Sequence, residues 1–105
     1  MNTESGCFDI VVDDDATEHL LRKYLANRRS QSGELRRALS AGDFAFIEDA
    51  GHKLVGSGGA YGMPRLTDIG ARLEQYAMLK SAADLSAPLR EFDAYVHNVR
   101  VVRRQ

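Results

Sequence analysis

Apolar residues recur every three or four positions along most of the chain, the spacing that places them on one face of a helix. The pattern predicts a first helix over about Ala16–Leu39 and a second over about Phe44–Tyr61. A third helix follows with Pro64 in its first turn, and Ser86 is expected to cap a fourth with Pro88 in its first turn. The apolar face of the first helix comprises Leu20, Tyr24, Gln31, Leu35 and Leu39, with Leu21 and Ala38 beside it.

Short polar connections separate these helices. Ala41-Gly42-Asp43 is typical of a helix end followed by a capped restart, and Asp13-Asp14-Asp15 is typical of a helix start. Ser32-Gly33 interrupts the first helix and predicts a kink or a split there. No segment alternates at period two over a useful length. We therefore expect an all-α fold, an antiparallel four-helix bundle over residues 15–105 with a short N-terminal arm over residues 1–14.

The second predicted helix keeps its apolar rhythm through a run of glycines. Gly51, Gly56, Gly58 and Gly59 together cost a helix about 2–4 kcal/mol relative to alanine. At roughly 100° of rotation per residue, the apolar stripe centres about 140° away from His52, and Gly56 and Gly59 lie on the outward side with the histidine. A sequence usually departs this far from good helix propensity only for close approach or function. The pattern therefore predicts an exposed imidazole on a helix that lacks side chains beside it, so that another protein can reach the ring.

Size and composition narrow the class of protein. A chain of 105 residues, 44% hydrophobic and 28% charged, fits one globular domain. The formal net charge of −1 leaves no positive footprint for nucleic acid, and we interpret Arg100, Arg103 and Arg104 as a solvated helix end. The single cysteine, Cys7, fits a reducing compartment, and no apolar run matches a membrane helix or a signal peptide. We expect a cytoplasmic protein that binds neither nucleic acid nor membrane.

The glycine-rich segment does not match a nucleotide-binding motif. Gly51 and Gly56 have the spacing of the P-loop glycines, but Ser57 stands where that motif requires lysine. Tyr61 occupies the place of the third glycine of the dinucleotide fingerprint. The three histidines lie far apart without companions at ligand spacing, so no metal site is predicted.

One stretch around His52 resembles the histidine-containing phosphotransfer (HPt) domain family of two-component phosphorelays. In that family the histidine is followed by leucine two positions on, glycine four on, a small residue five on and glycine ten on. This chain has Leu54, Gly56, Ser57 and Gly62 at those places, followed by Leu66 and Leu73-Glu74. The similarity covers roughly residues 20–99, and its specific part is confined to residues 52–74.

The resemblance implies that His52 accepts a phosphoryl group on Nε2 and passes it on. Val55 stands where many members have lysine, so charge neutralisation is expected to be weaker or to come from the partner. Lys53 is expected to support the phosphoryl group through its long stem, whereas Ser57 either donates a hydrogen bond or serves as a small packing residue. The surface expected to clear and dock a partner comprises Gly56, Gly59, Ala45, Glu48 and Asp49. Glu48 and Asp49 lie about one turn before His52, so we hypothesise that one of them accepts a hydrogen bond from Nδ1–H.

The resemblance also implies the partners, which are response-regulator receiver domains, a hybrid histidine kinase, or both, with the chain itself a monomer. The receiver is expected to bring Mg²⁺, with no cofactor or metal intrinsic to this chain. Without an ATP site, the chain is expected to be a phosphoryl carrier rather than an enzyme. Two alternatives stay open at this point: a helical-bundle module that docks on receivers or kinases without carrying phosphate, and a small kinase or phosphatase.

Overall fold

The computed structural model describes residues 8–104, which form four helices and a pair of short strands. In chain order the elements are β1 (Phe8–Val12), α1 (Asp15–Ala41), α2 (Phe44–Ala60), α3 (Pro64–Met78), α4 (Ala82–Asn98) and β2 (Val99–Arg103). The prediction of four helices is confirmed, but the all-α class is wrong in one respect, because two strands flank the helices. The antiparallel direction of the helices stays a prediction. Residues 1–7 of the expected arm, Cys7 among them, lie outside the described residues.

The two strands form a parallel pair that joins the two ends of the described chain. The register runs from Phe8 opposite Val99 to Val12 opposite Arg103. The prediction of a solvated helix end at the C-terminal arginines is therefore wrong. The valines that follow Asn98 are β-branched, and β-branched residues favour extended backbone. The strand with which they pair lies far earlier in the chain, since the Asp9–Arg100 contact spans 91 residues.

Each of the three C-terminal arginines pairs with acidic residues near the start of the chain. The pairs are Arg100 with Asp9, Arg104 with Asp13, and Arg103 with both Asp15 and Glu18. Exposed pairs of this kind contribute at most about 1 kcal/mol each. The apolar contacts of the buried Val12, Val99 and Val101 therefore do more to hold the strands against the helices.

Both ends of α1 and the start of α2 are capped where the sequence predicted helix ends and starts. Asp14 accepts the Thr17 backbone N–H at 2.7 Å at the start of α1, and Asp43 accepts that of Phe46 at 3.1 Å at the start of α2. Gly42 ends α1 in the left-handed region with φ 72°, which glycine adopts without steric cost.

Two predicted boundaries differ from the structure. Helix α1 runs unbroken through Ser32-Gly33, because Ser32 is buried and its hydroxyl donates to Asp93 of α4 at 2.6 Å. That hydrogen bond lowers the pKa of Asp93. Helix α4 begins one turn earlier than predicted, with Ser81 rather than Ser86 as its cap, so that Pro88 lies buried inside the helix.

All four helices and both strands contribute to one apolar core. Its largest fully buried side chains are Phe92, Leu25, Leu35, Ile47, Leu54, Met63, Leu66, Ile69, Leu73, Leu85, Val96 and Val99. The predicted face of α1 is rotated slightly, since Leu21 is buried whereas Leu20 is 49% exposed.

Glycines bring α2 and α3 into backbone contact. A Cβ atom placed on Gly51 would lie 2.7 Å from both the Glu74 nitrogen and the Gly70 oxygen, and one on Gly58 would lie 2.7 Å from the Thr67 nitrogen. A Cβ on Gly70 would lie 2.7 Å from the Gly51 oxygen. Gly51 and Gly58, which do not lie on the outward side with His52, therefore make room for α3 rather than for a visiting protein.

We predict opposite effects of alanine at two glycines of α2. Gly51→Ala should lower the free energy of unfolding by about 1–3 kcal/mol, because the new methyl group meets the backbone of α3. Gly56→Ala should raise it by about 0.5–1 kcal/mol, because nothing lies within 4 Å and alanine is the better helix former. Urea denaturation followed by circular dichroism measures both. Equal effects at the two positions would contradict the assignment of Gly51 to packing.

Candidate functional site

The imidazole of His52 stands in the middle of α2 with 74% of its side chain exposed, as its helical phase predicted. One turn further along, Gly56 has open space around its Cα. A Cβ on Gly59 would touch only the Thr67 hydroxyl, at 3.7 Å. On the side of the ring where Gly56 and Gly59 lie, the surface is therefore backbone without side chains, and the imidazole is accessible from that side.

A carboxylate on α3 holds the ring. Glu74 Oε2 lies 3.1 Å from His52 Nδ1, and the Glu74 side chain is 29% exposed. An ionised carboxylate can only accept a hydrogen bond, so in the neutral imidazole the contact places the proton on Nδ1 and leaves the lone pair on Nε2. The arrangement leaves the nucleophilic nitrogen of the ring available to an incoming group.

The position of Glu74 follows from the glycine contact between the two helices. Gly51 immediately precedes His52, and Gly51 packs against the Glu74 nitrogen. Because no side chain separates the helices there, the carboxylate reaches the adjacent imidazole.

Sequence spacing had pointed to Glu48 or Asp49 as the group that holds Nδ1–H, and the structure assigns that contact to Glu74 instead. Asp49 pairs with Lys53 at 3.0 Å, one turn apart along α2. Leu73-Glu74 stood among the residues that carried the family resemblance, but a contact across 22 residues has no signal in helical spacing.

The supporting residues predicted from the sequence lie on different sides of His52. Lys53 is 72% exposed and holds Asp49, so its ammonium is directed along α2. The Ser57 hydroxyl lies 2.7 Å from the Tyr24 hydroxyl of α1, and the Tyr24 ring stacks on Tyr61 with centroids 4.1 Å apart. In this arrangement Ser57 joins α1 to α2, and its predicted role as a hydrogen-bond donor to the phosphoryl group stays a prediction.

The remaining predicted docking residues flank the histidine on α2. Ala45 is exposed one turn before Glu48, which is half-buried. Val55, at the position where many HPt members carry lysine, is 36% exposed, and its carbonyl accepts a hydrogen bond from Thr67 at 3.3 Å. The ring therefore has an apolar side chain rather than an ammonium three residues after it.

The described residues include neither a metal-binding cluster nor a membrane-spanning helix. Within residues 8–104, no group of three or more histidine, cysteine or acidic side chains is arranged to hold a metal ion. In the same range, no helix combines the length and the apolar character needed to cross a membrane.

Comparison with known proteins gives one match. The model of the family described as Hpt domain matches residues 19–102, which extend from the first turns of α1 into β2. The chain belongs to the Hpt domain family. Hpt domains are phosphocarrier modules of phosphorelays, and His52 lies inside the matched span. No curated protein and no solved structure shows significant similarity to the chain.

We predict that Glu74→Ala shifts the tautomer of His52 toward the form with the proton on Nε2. Losing the acceptor removes the hydrogen bond that keeps the proton on Nδ1, and phosphoryl uptake should fall about tenfold, the equivalent of one ~1.4 kcal/mol hydrogen bond. ¹⁵N chemical shifts of the imidazole report the tautomer directly. Asp49→Ala serves as the control and should change neither quantity more than about twofold, since Asp49 contacts Lys53. An unchanged ¹⁵N spectrum in Glu74→Ala would refute the assigned role.

Proposed function

We propose that this Hpt domain is a phosphorelay intermediate whose phosphoacceptor is His52. It takes a phosphoryl group from an aspartate of one receiver domain and passes it to another. The observation that carries the proposal is the exposed imidazole whose Nδ1–H is held by Glu74, which leaves Nε2 free. The Hpt family match over residues 19–102 supports the same reaction.

In the proposed transfer, the Nε2 lone pair attacks the phosphorus of the aspartyl phosphate. The new N–P bond forms while the P–O bond to the aspartate breaks, and the carboxylate leaves with the electron pair. The ring becomes positively charged, and the Glu74 carboxylate at 3.1 Å stabilises that charge through Nδ1–H. Delivery to the next receiver is the reverse of these steps.

Positioning and charge stabilisation dominate phosphoryl transfer, and this chain supplies mainly the positioning. We propose that the receiver contributes Mg²⁺ and that this domain contributes no cofactor of its own. Val55 lies beside the ring, so the basic residue next to His52 in the chain is Lys53. To contact the phosphoryl group, Lys53 would have to break its ion pair with Asp49. The exchange costs little, because an exposed i,i+4 pair contributes only about 0.3–0.5 kcal/mol.

The proposed docking face lies along the outward side of α2. It comprises Ala45, Glu48, Asp49, Gly56 and Gly59, with His52 among them. Receiver domains and a hybrid histidine kinase are the partners that such a face would meet in a phosphorelay, in the cytoplasm. Since no ATP site is proposed, the domain is a carrier and should not label with ATP alone.

His52→Gln should abolish phosphoryl uptake from a phosphorylated receiver domain while leaving the fold intact, because the side chain is 74% exposed and is not part of the core. His97→Gln, a change at another exposed histidine on α4, should label at the wild-type rate. The measurement is transfer of ³²P, with acid-labile, base-stable label as the signature of phosphohistidine. Label retained by His52→Gln would exclude this acceptor. Failure of the wild type with every receiver tried would favour a docking module that carries no phosphate.

Gly59→Leu should slow transfer at least about tenfold without loss of stability, since the isobutyl group would fill the space that the receiver needs. The Cβ has room, with only the Thr67 hydroxyl at 3.7 Å, so the domain itself should fold normally. Ala87→Leu places the same isobutyl side chain at an exposed site on α4 and is the control. Stopped-flow or quench-flow transfer assays and thermal melts measure the two effects. Wild-type transfer by Gly59→Leu would show that this surface is not part of the docking face.

A further inference from the structure

The strand pair has two outer edges, and its hydrogen bonds determine which groups face outward. In a parallel pair, alternate residues of a strand bond to the neighbour with both N–H and C=O, and those between them point away. The Arg104 N–H donates to the Val12 carbonyl at 2.8 Å. With the observed register, Phe8, Ile10 and Val12 are therefore the β1 residues bonded to β2. The main-chain groups of Asp9 and Val11 face outward.

Helix α1 closes the outer edge of β2. Arg29 donates to the Val99 carbonyl at 3.0 Å, and Arg22 donates to the Val101 carbonyl at 2.8 Å. These are the carbonyls that the alternation directs away from β1. Within residues 8–104, no side chain or strand bonds in the same way to the outward groups of β1. An uncovered edge of this kind is a template for pairing with another strand.

A groove borders β1. A groove of about 590 Å³ lies between β1, the first turns of α1 and the turn after α2, with Leu20, Leu21 and Tyr61 among its lining residues. Val11 and Leu20 are each 49% exposed at this groove. Large apolar side chains beside unpaired main-chain groups indicate a contact surface rather than a finished exterior.

We propose that two copies of this protein associate through this edge, with β1 of one copy antiparallel to β1 of the other. The outward residues Asp9 and Val11 lie symmetrically about Ile10, so an antiparallel pair centred on Ile10 sets each Asp9 opposite Val11 of the second copy. Four main-chain hydrogen bonds then form, and no two carboxylates lie directly opposite each other. The same surface is used on both copies, as a two-fold dimer requires.

Charge and location support this assembly. Arg100 already balances the Asp9 carboxylate at 3.0 Å, so like charges do not oppose the approach of the two edges. The surface is built from β1, α1 and the end of α2, and it does not include His52 or Glu74. The dimer therefore departs from the monomer expected from the sequence, and it does not depend on the proposed phosphotransfer. One strand pair is a small interface, so we expect a weak dimer.

Analytical ultracentrifugation from about 10 µM to about 1 mM tests the association directly. The weight-average mass of the wild type should rise with concentration from 11.6 kDa toward twice that value. Val11→Pro removes an outward N–H, and an edge strand tolerates proline where that group faces solvent. The variant should dimerise at least about tenfold more weakly. Val11→Thr keeps the N–H and the β-branched shape and should dimerise like the wild type.

Amide hydrogen exchange provides a second readout that does not depend on a variant. In the wild type, the Asp9 and Val11 amides should gain protection as concentration rises, whereas the Arg104 amide, already bonded to Val12, should be protected throughout. Loss of Arg104 protection in Val11→Pro would show that the variant has lost the β1–β2 pair. In that case, the concentration dependence of amide exchange in the wild type decides whether β1 forms the dimer contact. A wild type that stays at 11.6 kDa at the highest concentration would overturn the proposal. So would a dimer in which the Asp9 and Val11 amides remain unprotected.

Discussion

The backbone contact between α2 and α3 is the constraint on which the functional site depends. At Gly51 and Gly70 no side chain fits, since a Cβ on either would come within 2.7 Å of main-chain atoms of the facing helix. The helices therefore approach until their main chains touch. This approach brings the Glu74 carboxylate to 3.1 Å from the imidazole that follows Gly51. The packing of α2 against α3 and the tautomer of the neutral histidine thus have one cause.

The glycines of α2 have different roles on its two faces. Gly51 and Gly58 face α3, where their missing side chains shorten the distance between helices. Gly56 and Gly59 lie on the outward side with His52, where they leave open surface. A helix this rich in glycine is weak in isolation, so the shared core must hold it. These glycines lower the intrinsic stability of α2, but on one face they permit close packing and on the other they leave His52 accessible.

The two ends of the described residues are joined by a strand pair that lies partly outside the family match. The Hpt match begins at residue 19, after β1, and reaches residue 102 within β2. β1 therefore adds a partner to a strand that the matched region already contains. Arg22 and Arg29 of α1 bond to β2 from the other side, so β2 lies between a strand and a helix. This arrangement links the end of α4 to the start of α1 without any contribution from the histidine.

Local features of this protein were predictable from the sequence, because they depend on residues three or four positions apart. Helical periodicity predicted the four helices and the exposure of His52, and polar residues before the apolar runs predicted the caps at Asp14 and Asp43. Tertiary structure alone decided the contacts between distant residues. Glu74 meets His52 across 22 residues, Ser57 meets Tyr24 across 33, and Arg100 meets Asp9 across 91. Periodicity records which face of a helix is buried, but the partner on that face is selected only when the whole core packs.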